Sequence, residues 1–147
     1  MIILENKDFV LGVLAGSNGA EHTPVQVQKL FFIIDREISK SIGGPYFNFT
    51  AYDYGPFDSK VYDELKKLEQ DGDVETSHYS SGLRRYKFTI QGQEKGTTVL
   101  KSWGKKVSDY IIALSNWVRS LSFAELVSAI YKAYPEMKVN SVFRGTE

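Results

Sequence analysis

Residues 73–92 read DVETSHYSSGLRRYKFTIQG. Two extended runs, 73–79 and 83–90, flank Ser80-Ser81-Gly82, a turn-forming cluster between β-prone segments, and this predicts an antiparallel hairpin. The second run passes through Thr89 into Ile90-Gln91-Gly92. A threonine there can accept a hydrogen bond from the first turn of a following helix, so the hairpin is expected to feed directly into one.

Upstream of the hairpin, residues 59–70 place Val61, Tyr62, Leu65 and Leu68 on one helical face, and Asp71-Gly72 closes the pattern. Helix, hairpin, helix is the skeleton of a winged helix-turn-helix. Many winged-helix domains leave their second wing strand through a segment resembling Tyr86-Lys87-Phe88-Thr89-Ile90-Gln91-Gly92. Further upstream, Thr23, Pro24 and Gln26 form the clearest helix start in the chain: a cap, a proline at the first helical position and a capping-box partner. The stripe Val27, Leu30, Phe31, Ile34, Ile38 predicts one buried helix over Thr23–Lys40, packed on the helix at 59–70 and stopped by Gly43-Gly44. An earlier helix is expected over Lys7–Ala15 with Asn6 as its cap. Residues 46–54, YFNFTAYDY, alternate as a short strand would, and Gly55-Pro56 breaks them.

Downstream, a stripe of Trp103, Val107, Tyr110, Ile111, Leu114 and Val118 predicts a helix starting near Gln91 and running across Gly92, Gly96 and Gly104. Ser122 with Glu125 then opens a last helix, with Phe123, Leu126, Val127, Ile130 and Tyr134 facing inward, and Pro135 ends it. The fold class is therefore α+β: a mainly helical single domain over 1–137 with a small antiparallel hairpin, winged-helix-like. Residues 138–147 carry little pattern and read as a mobile tail.

Composition bounds the chemistry. The 147 residues include no cysteine and 42% apolar residues, enough for one core and no disulfide. The opening residues lack a basic leader and cleavage site, and no apolar run approaches the roughly 18 residues of a membrane span. A cytoplasmic protein without membrane contact is expected. Eighteen basic side chains balance eighteen acidic ones. Residues 1–72 hold seven basic and eleven acidic groups, and residues 73–147 the reverse.

Catalytic patterns are missing. His22 and His78 are the only histidines, and without cysteine they make no recognisable metal set; both read as surface residues. Gly104-Lys105 lacks the preceding glycine and following Ser/Thr of a phosphate loop, since Val99 and Lys106 stand there. No Gly-x-Ser-x-Gly elbow is present. The carboxylates Asp35/Glu37 and Asp63/Glu64 read as solvated. Neither enzyme activity nor a cofactor is expected.

Nucleic acid is the alternative partner. Arg84, Arg85 and Lys87 cluster on one hairpin strand, with Arg85 and Lys87 sharing a face. Yet the helix that would enter a major groove, 58–71, sets Lys60, Lys66 and Lys67 against five carboxylates, an unfavourable balance beside phosphates. The aromatics Tyr46, Phe47, Phe49, Tyr52, Tyr54 and Phe57 are dense enough to supply both core and a partner-binding patch.

Three pieces in order carry a resemblance: Gln28-Lys29-Leu30-Phe31-Phe32 on a helix, Phe49-x-Ala51-x-x-Tyr54-Gly55-Pro56-Phe57, and Val61-Tyr62. Together they resemble the Panacea domain, also called the SocA-like antitoxin domain. The family's usual valine after the proline is Phe57 here. The resemblance implies a non-enzymatic module that binds a partner protein, a toxin in the antitoxin members, with some relatives acting as adaptors or in phage defence. It implies structural roles for Lys29, Leu30, Gly55, Pro56 and Tyr62. Tyr52, Tyr54, Phe57 and Lys60, beside the Tyr-Gly-Pro turn, become the candidate partner contacts. A winged-helix DNA-binding regulator is the alternative.

Overall fold

The computed structural model describes residues 4–79 and 82–144. Helix α1, Asn6–Ala15, lies at the centre, and every residue from Phe9 to Ala15 is buried. Its cap is Glu5 rather than Asn6, in a reciprocal box with Asp8. A carboxylate accepts from helix N–H groups as well as an amide does and also favours the positive end of the helix.

Helix α2, Pro24–Glu37, starts as its sequence predicts: Thr23 Oγ1 accepts from Gln26 N–H at 3.2 Å while Gln26 Oε1 accepts from Thr23 N–H at 2.9 Å. It ends at Glu37, short of Lys40, and a single 3₁₀ turn covers Ser39–Ser41. Its main neighbours are helix α5, Lys105–Ser120, helix α6, Phe123–Ala133, and a short strand described next. The predicted packing partner, helix α3 at Lys60–Gln70, instead lies mainly on α1 and the following strand.

The aromatic segment holds a hairpin that its sequence does not predict. Strand β1, Thr50–Tyr52, pairs antiparallel with β2, Gly55–Phe57, in the register Ala51↔Pro56. Gly55-Pro56 thus belongs to a strand instead of ending one. Proline lacks an N–H and is tolerated at the edge of so short a ladder, and Gly55 takes φ +104°, open to glycine almost alone.

Strands β3, Val74–His78, and β4, Arg84–Phe88, form the predicted antiparallel hairpin, from Val74↔Phe88 to His78↔Arg84. Ser80 and Ser81 of its turn lie outside the described residues. His22 adds one rung to β4, exchanging both backbone hydrogen bonds with Tyr86 at 2.9 Å. Thr89 caps helix α4, Ile90–Ser102, accepting from Gly92 N–H at 3.1 Å. The predicted continuous downstream helix is two helices. Gly104, at φ +90°, separates α4 from α5, and the apolar stripe merely continues across the break. Ser122 and Glu125 cap α6 reciprocally.

The mainly helical α+β class with small antiparallel hairpins is therefore the fold. Among the described residues no helix is long and apolar enough to cross a membrane. The segment after Pro135 is placed against the first hairpin: Met137 and Phe143 are buried, Val142 N–H donates to Asp53 O at 2.9 Å, and Asn140 Nδ2 donates to Ala51 O at 3.2 Å. Residues 145–147 of the expected tail lie outside the described residues.

Candidate functional site

The candidate surface is built on how α2 grips residues 46–58. Three polar side chains of this helix are buried, and each holds backbone of that segment. Asp35 accepts at one end, from Tyr46 N–H at 2.9 Å and Phe47 N–H at 2.9 Å. Gln28, two helical turns earlier, takes the other end: Nε2 donates to Asp58 O and Oε1 accepts from Asp58 N–H, both at 3.0 Å. Between them Lys29 donates to Pro56 O at 3.2 Å. Asp58 continues the chain of contacts, accepting from Asn48 N–H at 2.8 Å and from Lys60 N–H at 2.9 Å at the start of α3.

These contacts correct one sequence expectation. Asp35 is not solvated; it is 5% exposed, and burial raises its carboxyl above the usual range against the pull of the two N–H groups. Lys29 is 3% exposed, and burial alone lowers its ammonium to about 8. Leu30 is fully buried. Gly55 is pressed against α6 and Lys29: a Cβ there would stand 3.3 Å from Tyr131 Cε1 and 3.7 Å from Lys29 Cε.

The gripped hairpin presents aromatic rings outward. Tyr52 is 52% exposed and lies flat on half-buried Phe57, with centroids 4.9 Å apart. Phe57 meets Tyr62 edge-on at 5.8 Å, and Tyr62 stacks on buried Tyr86 at 6.5 Å. The guanidinium of Arg84 sits over Tyr62 at 5.4 Å and over Tyr86 at 5.8 Å. In the other direction Tyr54, 41% exposed, packs edge-on against exposed Phe123 at 5.1 Å. Beyond Phe123, a groove of about 440 Å³ is lined by Val25, Leu83, Leu121 and Leu126 among others. Lys60 is exposed at the first turn of α3.

The structure thus brings Tyr52, Phe57, Tyr62 and Arg84 into one row, although the sequence assigns Tyr52 and Phe57 to a partner-binding patch, Arg84 to the rival nucleic-acid site and Tyr62 to a structural role. It divides the basic trio. Arg84 is committed to the ring stack, whereas Arg85 lies over Tyr79 at 5.4 Å on the opposite face, with Lys87 paired across from Glu75. Gln28, Asp58, Leu83 and Phe123 carried no signal as site residues; Gln28 lay inside the quoted helix motif without a role.

His22 also departs from expectation. It is 1% exposed, and its Nε2 is 2.8 Å from Ser17 Oγ, which is in turn hydrogen-bonded to the Ser115 hydroxyl. Burial, reinforced by the nearby Arg119 charge, lowers its imidazole to about 4, so it is neutral at pH 7. All three side chains are buried, which makes this a structural network rather than an exposed nucleophile and base. His78 is exposed, as predicted. Among the described residues no three His, Asp or Glu side chains gather as a metal site.

No family model matches the chain, and no curated protein or solved structure matches it either.

Proposed function

We propose that the chain is a non-enzymatic protein-binding module of the antitoxin or adaptor kind, and that its partner seats on the aromatic face around Tyr52, Tyr54 and Phe57. One observation carries this reading. Large rings stand exposed at the tip of a hairpin whose backbone is fixed from beneath by Gln28, Lys29 and Asp35. Rigid rings on a fixed base lose little conformational entropy on binding, and tyrosine at such a position is a common hot spot. The face continues through Phe123 and Leu83, both about half exposed, and such contiguous apolar surface marks interaction sites. Resemblance of the Lys29-Leu30 and Tyr54-Gly55-Pro56 pieces to the Panacea domain supports the same class, with a toxin as the kind of partner and phage or bacterial defence as the setting.

The winged-helix regulator is the second reading, favoured by the α3–β3–β4 order and by Arg84 and Arg85. Against it stand the five carboxylates around α3 and the split of the basic residues between two faces.

Co-expression with the product of the neighbouring gene, followed by copurification and calorimetric titration, tests the proposal. Tyr52→Ala should weaken binding by about 2 kcal/mol, roughly thirtyfold, while costing less than about 1 kcal/mol of stability. Undiminished binding by both Tyr52→Ala and Phe57→Ala would remove this face from consideration. Sub-micromolar, sequence-selective DNA binding that is lost in Arg84→Ala plus Arg85→Ala would put the regulator first.

A further inference from the structure

A small cleft of about 170 Å³ opens beside the first hairpin, with Lys29, Gln28, Tyr52, Asp53, Phe57 and Tyr62 in its wall. Its volume is below that of a drug-sized pocket and suits one small functional group with a few carbons. What sets it apart is Lys29. An ammonium has three donors, and the only acceptor it meets among the described residues is Pro56 O, at 3.2 Å. No acidic neighbour offsets its desolvation. Buried charges in proteins are ordinarily paired, because an isolated one is costly.

We propose that this cleft is a carboxylate-binding site, in which the Lys29 ammonium pairs with one carboxylate while the rings of Tyr52, Phe57 and Tyr62 cover the apolar group that bears it. The charge count favours a singly charged anion. One ammonium is present, no arginine lines the wall, and Asp53 in the wall adds negative charge, so a phosphate dianion would bring a second charge with nothing to meet it. The rings supply apolar contact for the carbon part of the ligand, and burial strengthens the ion pair relative to water. Both a polypeptide carboxylate and a free small acid carry this chemistry. The site stands whether or not the outer aromatic face is a protein interface.

Titration of the isolated ¹⁵N-labelled protein by NMR tests it, with benzoate, benzamide, N-acetylphenylalanine and N-acetylphenylalanine amide as probes at pH 7. Saturable shifts at Gly55, Tyr52 and Tyr62 are expected with the two acids, at dissociation constants in the millimolar range, and at least about tenfold weaker with their amides. Tighter binding of N-acetylphenylalanine assigns the site to a polypeptide terminus, and tighter binding of benzoate to a free acid. Lys29→Met, its fold checked in the same spectra, should abolish the difference between acid and amide. Equal binding of acids and amides, absence of binding by either acid, or an acid preference persisting in Lys29→Met would each overturn the proposal. The comparison of acid with amide in the unaltered protein stands even if the variant does not fold.

Discussion

Gln28 holds Asp58 by both of its backbone groups, with two hydrogen bonds of 3.0 Å running from one side-chain amide. The helix thereby substitutes for a missing strand neighbour at the point where the first hairpin passes into α3. Truncation in Gln28→Ala leaves the N–H and the carbonyl of Asp58 without these partners. An unsatisfied buried group costs about 1–3 kcal/mol, so a loss of about 2 kcal/mol is expected. Gln28→Glu should also destabilise, since it removes the donor and sets a carboxylate against the Asp58 carbonyl. Urea unfolding of both variants checks this, and a midpoint unchanged in Gln28→Ala would show that the clamp contributes nothing.

A second close approach joins α1 to α4. A Cβ on Gly96 would lie 2.4 Å from Leu11 O, and one on Gly92 would lie 2.0 Å from Asp73 O. Both neighbours are backbone and cannot turn aside as a flexible side chain can. Alanine gains about 1 kcal/mol over glycine in a helix interior, so a purely local effect would stabilise Gly96→Ala. The overlap should reverse that sign and cost about 2 kcal/mol or more, because α1 and α4 must move apart across a packed core. Thermal unfolding gives the sign directly.

The parts of this fold that are legible in the sequence are those set by neighbours three or four residues away. Thr23 with Gln26, Ser122 with Glu125, and Thr89 before Gly92 are read correctly because a cap is a local hydrogen bond. The β3–β4 hairpin is legible for the same reason. The first hairpin is only half legible: the alternation of 46–54 reads as a single short strand, of which Thr50–Tyr52 is one, while its partner at Gly55–Phe57 is hidden because Gly55-Pro56 reads as a break. Asp35 reads as a solvated helix position and Gln28 has no assigned role, because nothing near them in sequence reveals the backbone at 46–58 that they hold. His22 is hidden in the same way, its burial being created by Ser115 and Tyr86 far along the chain. The row of rings from Tyr52 to Arg84 needs both hairpins and α3 together, so its members could be named individually but not joined.

Acid should weaken the fold through His22. Its folded-state value of about 4 lies below the ordinary 6.5, so between these limits the unfolded chain binds the extra proton and stability rises with pH. The contribution is fully present above pH 6.5 and is lost as pH falls toward 4, up to about 3 kcal/mol on the scale of 1.36 kcal/mol per unit. Asp35 contributes with the opposite sign, since its carboxyl is raised. Comparison with His22→Gln cancels that contribution. The stability difference between the two proteins, from urea unfolding at pH 7 and pH 4.5, should shrink toward acid, and a constant difference would mean that His22 does not titrate as its burial requires.

Lys29 acts with the same sign as His22, on the alkaline side. Its folded value of about 8 lies below the ordinary 10.5, so between pH 8 and 10.5 the unfolded chain again holds more protons and stability from this group rises with pH. Below pH 8 the folded protein bears the full cost of a buried, under-partnered ammonium, about 3 kcal/mol by the same scale. Methionine has similar length, no charge and an adaptable shape, and it forfeits only the hydrogen bond to Pro56 O. Lys29→Met should therefore be more stable than the natural protein at pH 7, by at least about 1 kcal/mol, with the gap closing as pH approaches 10. Urea midpoints at pH 7 and pH 9.5 measure both the sign and the closure. A lysine retained for folding alone would give the reverse: a less stable variant at pH 7, with no convergence at higher pH. A stabilised Lys29→Met that has lost its acid preference would show that the charge is kept for a ligand at a cost to the fold.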